Sequence, residues 1–163
     1  MNTFTPDELD LIAKHRTPED VQVFLDTLSY NFESDGIPTL KSLRRVLRDR
    51  TAHCIEGALS AAAILKQHEY KPQILCMEAR DIDHIVFVYQ QAGRWGTVAQ
   101  SRDPNLKFRE PVFANFRDLV MSFHPHYWNY FTGDLSDLTL RGFAHLPLDG
   151  VQSDWITNEE DLF

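Results

Sequence analysis

The feature that most constrains this chain is the segment CIEGALSAAAILKQH, which begins at Cys54. It is rich in Ala and Leu and lacks Pro or a β-branched run, so it predicts a buried helix starting at or near Cys54. Gly57, Ala58, Ser60 and Ala61 to Ala63 give that helix a thin surface on which neighbours can pack closely. Three strand-like runs follow, PQILCMEA, HIVFVYQ and RWGTVAQ, the last two joined by the hairpin signal Gln91, Ala92, Gly93. Helices followed by antiparallel strands, rather than alternating strand and helix, predict an α+β fold.

The first third of the chain reads as helices packed on that core. Thr5 and Thr17 each precede a Pro and then an acidic residue, the chemistry that opens a helix. After Thr17, the residues Val21, Phe24, Leu25 and Leu28 fall on one face, which predicts an amphipathic helix from Pro18 to Ser29. FESDGIP is a turn, and Thr39 is expected to cap a short basic helix running to Arg50. Beyond the hairpin come a loop, SRDPNLKFREP, and an aromatic-rich helix near NFRDLVMSFHPHYWNYF, whose rings are expected to pack on the sheet. A final strand is expected within Leu138 to Phe143, and Trp155, Ile156 and Leu162 are anchors for the acidic tail. No repeat, low-complexity stretch or Gly/Ser linker divides the 163 residues. The chain therefore reads as one domain, 1–163, with a core over 50–145 and a tail over 150–163.

Three residues carry the chemistry. A thiol at a helix N-terminus sees unpaired N–H groups and the positive end of the helix dipole, which favour thiolate, and the thiolate is the nucleophile. Without partners, Cys54 reads equally well as a small core residue. His84 opens the strand HIVFVYQ beside a loop, placed to lean over a helix end and exchange a proton with the thiol. Asp103 lies past the third strand, and folding the hairpin about Gln91 to Gly93 brings that region back beside His84. Asp103 is then expected to orient the imidazole, with Ser101 as the competing partner. Cys76, on an alternating strand, reads as inert core.

Cys at the head of an Ala-rich helix, His at a strand start and Asp-Pro after the next strand, with Trp95 between, resemble the transglutaminase-like superfamily. The matching pieces are HCIEGALSAAAIL, DHIVFVY and RWGTVAQSRDP, about fifty residues from Cys54 to Pro104. The order Cys, His, Asp is also similar to that of arylamine acetyltransferases and bacterial cysteine peptidases. The resemblance implies a papain-like α+β fold, a thiolate nucleophile and a covalent acyl-enzyme, with Cys54, His84 and Asp103 as the triad. No Trp precedes Trp95 and no Gln lies shortly before Cys54, so the oxyanion donors are expected to be the Cys54 N–H and a group within Arg50 to His53.

The expected function is cysteine-dependent hydrolysis or acyl transfer on an amide, ester or thioester, with hydrolysis favoured. The substrate is a peptide or small acyl compound, and no cofactor is required. The rival reading is a binding or scaffold domain of the same fold that has lost catalysis. A zinc site drawn from His53, Cys54, His84, His124 and His126 ranks below the triad, because HC is not a ligand spacing and HPH is remote. A net charge of −8 argues against nucleic acid or an anionic membrane as the main partner. No apolar run approaches the roughly 20 residues of a membrane span. The N-terminus MNTFTPDELD has neither the basic start nor the apolar stretch of a secretion signal, so the expected location is cytoplasmic.

Overall fold

A computed structural model describes residues 3–162; Met1, Asn2 and Phe163, the outermost residues of the expected domain and tail, lie outside the described residues. Among those described are five α-helices and a five-stranded antiparallel sheet, an α+β arrangement. The helices are α1 (Pro6–Lys14), α2 (Pro18–Asp26), α3 (Leu43–Asp49), α4 (Cys54–Lys66) and α5 (Phe116–Met121). A two-residue parallel pair, β1 (Ser29–Tyr30) with β2 (Thr51–Ala52), precedes the main sheet. The sheet contains β3 (Gln73–Ala79), β4 (His84–Gln91), β5 (Arg94–Val98), β6 (Arg109–Phe113) and β7 (Leu140–Pro147), in the order β6-β5-β4-β3-β7.

Local chemistry sets most of these boundaries. Thr5 and Thr17 each form a capping box, with Glu8 and Asp20 respectively, and each is followed by Pro. The β4–β5 hairpin closes at the Gln91↔Arg94 pair over Ala92 and Gly93, both at positive φ, the two-residue turn whose twist matches that of the strands.

The sheet is covered on both faces, which explains the near-continuous apolar character of HIVFVY. On one side α2, α3 and α4 bury Leu25, Val46, Ala62, Ile64 and Leu65 against Ile74, Phe87, Tyr89 and Val98. On the other, Leu119, Val120, Phe123 and Tyr127 pack on Leu75, Met77, Val86 and Val88. Trp155 and Ile156 are buried in the helix-side core, and the tail hydrogen-bonds back to the chain from Leu162 N–H to the Leu40 carbonyl.

Several expected boundaries shift. The α2 helix ends at Asp26, because Thr27 and Leu28 turn back onto the Phe24 and Leu25 carbonyls before Ser29 enters β1. Ser42 rather than Thr39 caps the basic helix, its hydroxyl accepting from Arg45 N–H. The loop SRDPNLKFREP contains strand β6, which tolerates Pro111 because it lies at the sheet edge. The aromatic helix is only six residues long; Pro125 directs the chain into the 3₁₀ turn His124–His126 instead. The last strand runs on to Pro147, paired with β3 along its length.

Candidate active site

Cys54 is the first residue of α4, and His53 is its extended N-cap. The helix begins here because Glu56, at the third helical position, accepts a hydrogen bond from the His53 N–H at 3.0 Å. Gly57 brings this end of α4 against the chain leaving β5. A Cβ at Gly57 would stand 2.5 Å from Gln100 Cβ, so only Gly permits the approach. Cys54 is half-buried on the wall of a cavity of about 460 Å³, whose lining includes Tyr30, His84, Asp103, Tyr127 and Trp128.

His84, the first residue of β4, is 5 % exposed and lines the same cavity as Cys54, whose thiolate it favours. Its Nε2 is 2.6 Å from the Leu106 carbonyl. A carbonyl only accepts, so Nε2 carries a proton and Nδ1 is left for the thiol. His53, the residue before Cys54 in the chain, also favours the thiolate. Burial works against the Cys54 thiolate, but hydrogen bonds from His53 and His84, the attraction of the His84 ring and the Ile85 N–H outweigh it. They bring the thiol down to about 5. Cys76, half-buried on β3, is pushed up by burial and by the carboxylates of Asp83 and Glu78. Tyr30 is pushed up to about 12 by burial and by the Cys54 anion beside it, so it remains a neutral phenol.

The His84 ring hydrogen-bonds to a backbone carbonyl, and Asp103 bonds elsewhere. Asp103 lines the same cavity, but its Oδ1 accepts from the Asn105 N–H at 2.8 Å and from Asn105 Nδ2 at 3.1 Å. It caps the 3₁₀ turn Pro104–Leu106. That turn presents the Leu106 carbonyl to His84. The β4–β5 ladder ends at Phe87↔Val98, and the chain beyond it is tied to the helices by Gln100 before Asp103 is reached. Ser101 is buried, and its hydroxyl accepts from the Asp103 N–H.

Residues with no expected role complete the thiol's surroundings. Glu56 is fully buried and accepts from Thr39 Oγ1 at 2.6 Å, Lys41 N–H at 3.1 Å and Asn31 Nδ2 at 3.3 Å, besides His53. It is the lone charge in the apolar run CIEGALSAAAIL, a signal that it must be paired inside. From the aromatic segment, Tyr127, Trp128 and Tyr130 line the cavity, and Tyr127 hydroxyl donates to the Ile82 carbonyl at 2.7 Å. Phe123 packs into the core instead. The Arg102 guanidinium sits 3.2 Å over the Tyr130 ring. His126 reaches the cavity lining, but among the described residues no group of three or more His, Cys, Asp or Glu side chains is arranged to hold a metal ion. No helix among them is long and apolar enough to cross a membrane.

The arrangement can ionise a thiol, hold it beside a proton carrier and admit a small or extended ligand to both. The sequence matches no family model and no curated protein, so the reading of this site rests on its geometry.

Proposed function

We propose that this chain is a cysteine-dependent hydrolase or acyltransferase with a papain-like, transglutaminase-like core. The observation that carries the reading is the meeting, on one cavity wall, of a thiol at the first position of α4 with the ring of His84, whose Nε2 is fixed on the Leu106 carbonyl. A thiol in that place can pass its proton to the remaining nitrogen of the ring and act on a substrate held in the cavity.

In this reading the Cys54 thiolate attacks the carbonyl carbon of an amide, ester or thioester. The oxyanion that forms is stabilised by the first-turn N–H groups of α4 and by the neutral Tyr30 phenol, which lines the cavity beside the thiol. The attack forms the S–acyl bond; collapse of the oxyanion breaks the bond to the leaving group, which takes from His84 Nδ1 the proton that ring received from the thiol. Water or another acceptor then attacks the thioester, giving its proton to the same nitrogen and releasing the thiolate. Hydrolysis is the simpler outcome, since it needs no second binding site. Ser101 and Asp103 take no part in proton transfer; they shape the turn that holds His84.

The test is a trapping experiment. Incubated with an activated aryl ester, the protein should gain the mass of one acyl group, mapped to Cys54, with a burst of phenolate release. Cys54→Ser should show neither. A wild-type protein that binds ligand in the cavity but never acylates Cys54 would establish the binding-domain reading instead.

A further inference from the structure

The site contains one histidine more than a thiol–imidazole pair needs, and the two rings are held very differently. His53 Nε2 is 2.9 Å from the Thr39 carbonyl and 3.5 Å from both Glu33 Oε1 and Glu56 Oε1. The carbonyl requires a proton on Nε2, which leaves Nδ1 for the Cys54 thiol. Two carboxylates therefore face the ring of the residue that directly precedes Cys54 and favours its thiolate. Glu56 is fully buried, and its oxygens are occupied by Thr39, Lys41, Asn31 and the His53 N–H, so its place is fixed to within the tolerance of those bonds. The nearby cation on the same loop turns away: Lys41 Nζ binds Thr51 Oγ1 at 2.7 Å and Asp49 at 3.4 Å.

We infer that His53 is a second catalytic histidine, a standing imidazolium that keeps Cys54 ionised, and that Glu56 is its positioning residue, leaving His84 to move protons. The inference rests on the reading of Cys54 as a nucleophile. It also resolves a difficulty in that reading, because a single histidine must both hold the thiolate as a cation and surrender a proton to the leaving group. With two rings the duties separate. Before attack and after deacylation the thiolate has its partner in His53, the leaving group takes from His84 Nδ1 the proton that the thiol gave that ring, and water restores that proton.

The electrostatics agree with the geometry. Burial opposes a charged His53, but the hydrogen bond to Cys54, the Glu56 carboxylate and the Thr39 carbonyl outweigh it and push the ring up to about 9. The groups facing the ring are Cys54 and Glu56 from α4, Glu33 from the loop after β1 and the Thr39 carbonyl from the loop before α3. Across the thiol stand His84 from β4 and Tyr30 from β1, the latter neutral.

The experiment is the pH dependence of Cys54 alkylation by iodoacetamide, followed by peptide mapping, in wild type, His53→Gln, Glu56→Gln, Glu56→Asp and His84→Gln. The His53→Gln change keeps a hydrogen-bonding amide but removes the charge. It should move the thiol's midpoint up by about 2 pH units, towards the ordinary value, making alkylation about tenfold slower at pH 6. The Glu56→Gln variant should move it less in the same direction, and Glu56→Asp should recover part of the loss. The His84→Gln variant should leave more of the acidic midpoint in place yet abolish ester turnover. If His53→Gln keeps the wild-type midpoint while His84→Gln shifts it fully, the inference is overturned and the Cys54–His84 reading stands. A wild-type midpoint near the ordinary thiol value overturns both. Should a variant fail to fold, nitrogen NMR of wild-type His53 decides: an imidazolium persisting to about pH 9 supports the inference, and a neutral ring at pH 7 ends it.

Discussion

The two histidines beside Cys54 are supported in opposite ways. Behind His53 stands a buried polar network whose members come from 14 to 25 residues away: Thr39, Lys41 and Asn31, converging on Glu56 and the ring. Behind His84 stands one backbone carbonyl on a turn that is held by bonds between residues two or three apart. The contrast teaches what each ring is suited to. Carboxylates make the cationic form of a ring the favoured one, whereas a backbone carbonyl fixes the ring's orientation and which nitrogen carries the proton. The two supports should also fail differently, the first cooperatively with the fold and the second locally.

The largest effect is expected at Glu56. Truncation in Glu56→Ala strips the acceptor from four donors and an imidazole in a fully buried place, at a cost of about 3–5 kcal/mol in folding stability. Urea unfolding would measure it, and a loss of under about 1 kcal/mol would show that water replaces the carboxylate and that the network is not a support.

A smaller effect is expected where the two supports touch. At Gly57 an added methyl group meets the Gln100 side chain and backbone, and Gln100 is itself tied to the Leu25 and Leu28 carbonyls. Gly57→Ala should therefore destabilise by about 1–3 kcal/mol through overpacking, against the usual gain from Ala in a helix. It should also slow Cys54 alkylation by displacing the thiol from His84. Unchanged stability together with unchanged alkylation would show that the α4 end is softer than the contact implies.

The smallest effect belongs to Asp103, and its pattern matters more than its size. Asn caps a turn about as well as Asp, so Asp103→Asn should change stability by less than about 0.5 kcal/mol and leave the pH profile of Cys54 in place. Asp103→Ala should cost about 1 kcal/mol. Should Asp103→Asn instead shift that profile, the carboxylate charge reaches His84 directly and the turn is only its scaffold.

Much of this was legible in the residues, and the limits have physical causes. Periodic and capping signals are local, so the α1 and α2 starts, the α4 helix and the β4–β5 hairpin could be read directly, and Cys54 and His84 do line one cavity. The partner of His84 could not, because a backbone carbonyl leaves no mark in a sequence and Asp-Pro signals a turn as readily as an acid. Strand β6 was hidden by Pro111, which argues against a central strand but not an edge. The role of Thr39 was misread for a related reason: a Thr before a helical run looks like a cap, whereas this one serves the buried Glu56 seventeen residues on. Of the His53 support, only the lone charge on an apolar helix could have been noticed beforehand. Its remaining members are brought together by the fold alone.

The central claim is that Cys54 is a thiolate poised for attack, and wild-type protein with two thiols contains its own control. The measurement is the alkylation rate of Cys54 and Cys76, resolved by peptide mapping from pH 4 to 10. A lowered value means that the reactive thiolate is present above it and is lost as pH falls through it. Cys54 should therefore label at a nearly constant rate from neutrality down to about pH 6, with a midpoint near the site's value of about 5. Cys76, pushed up by burial and acidic neighbours, should label slowly and only as the solution becomes alkaline. Parallel curves for the two thiols, both rising only above about pH 8, would contradict the account.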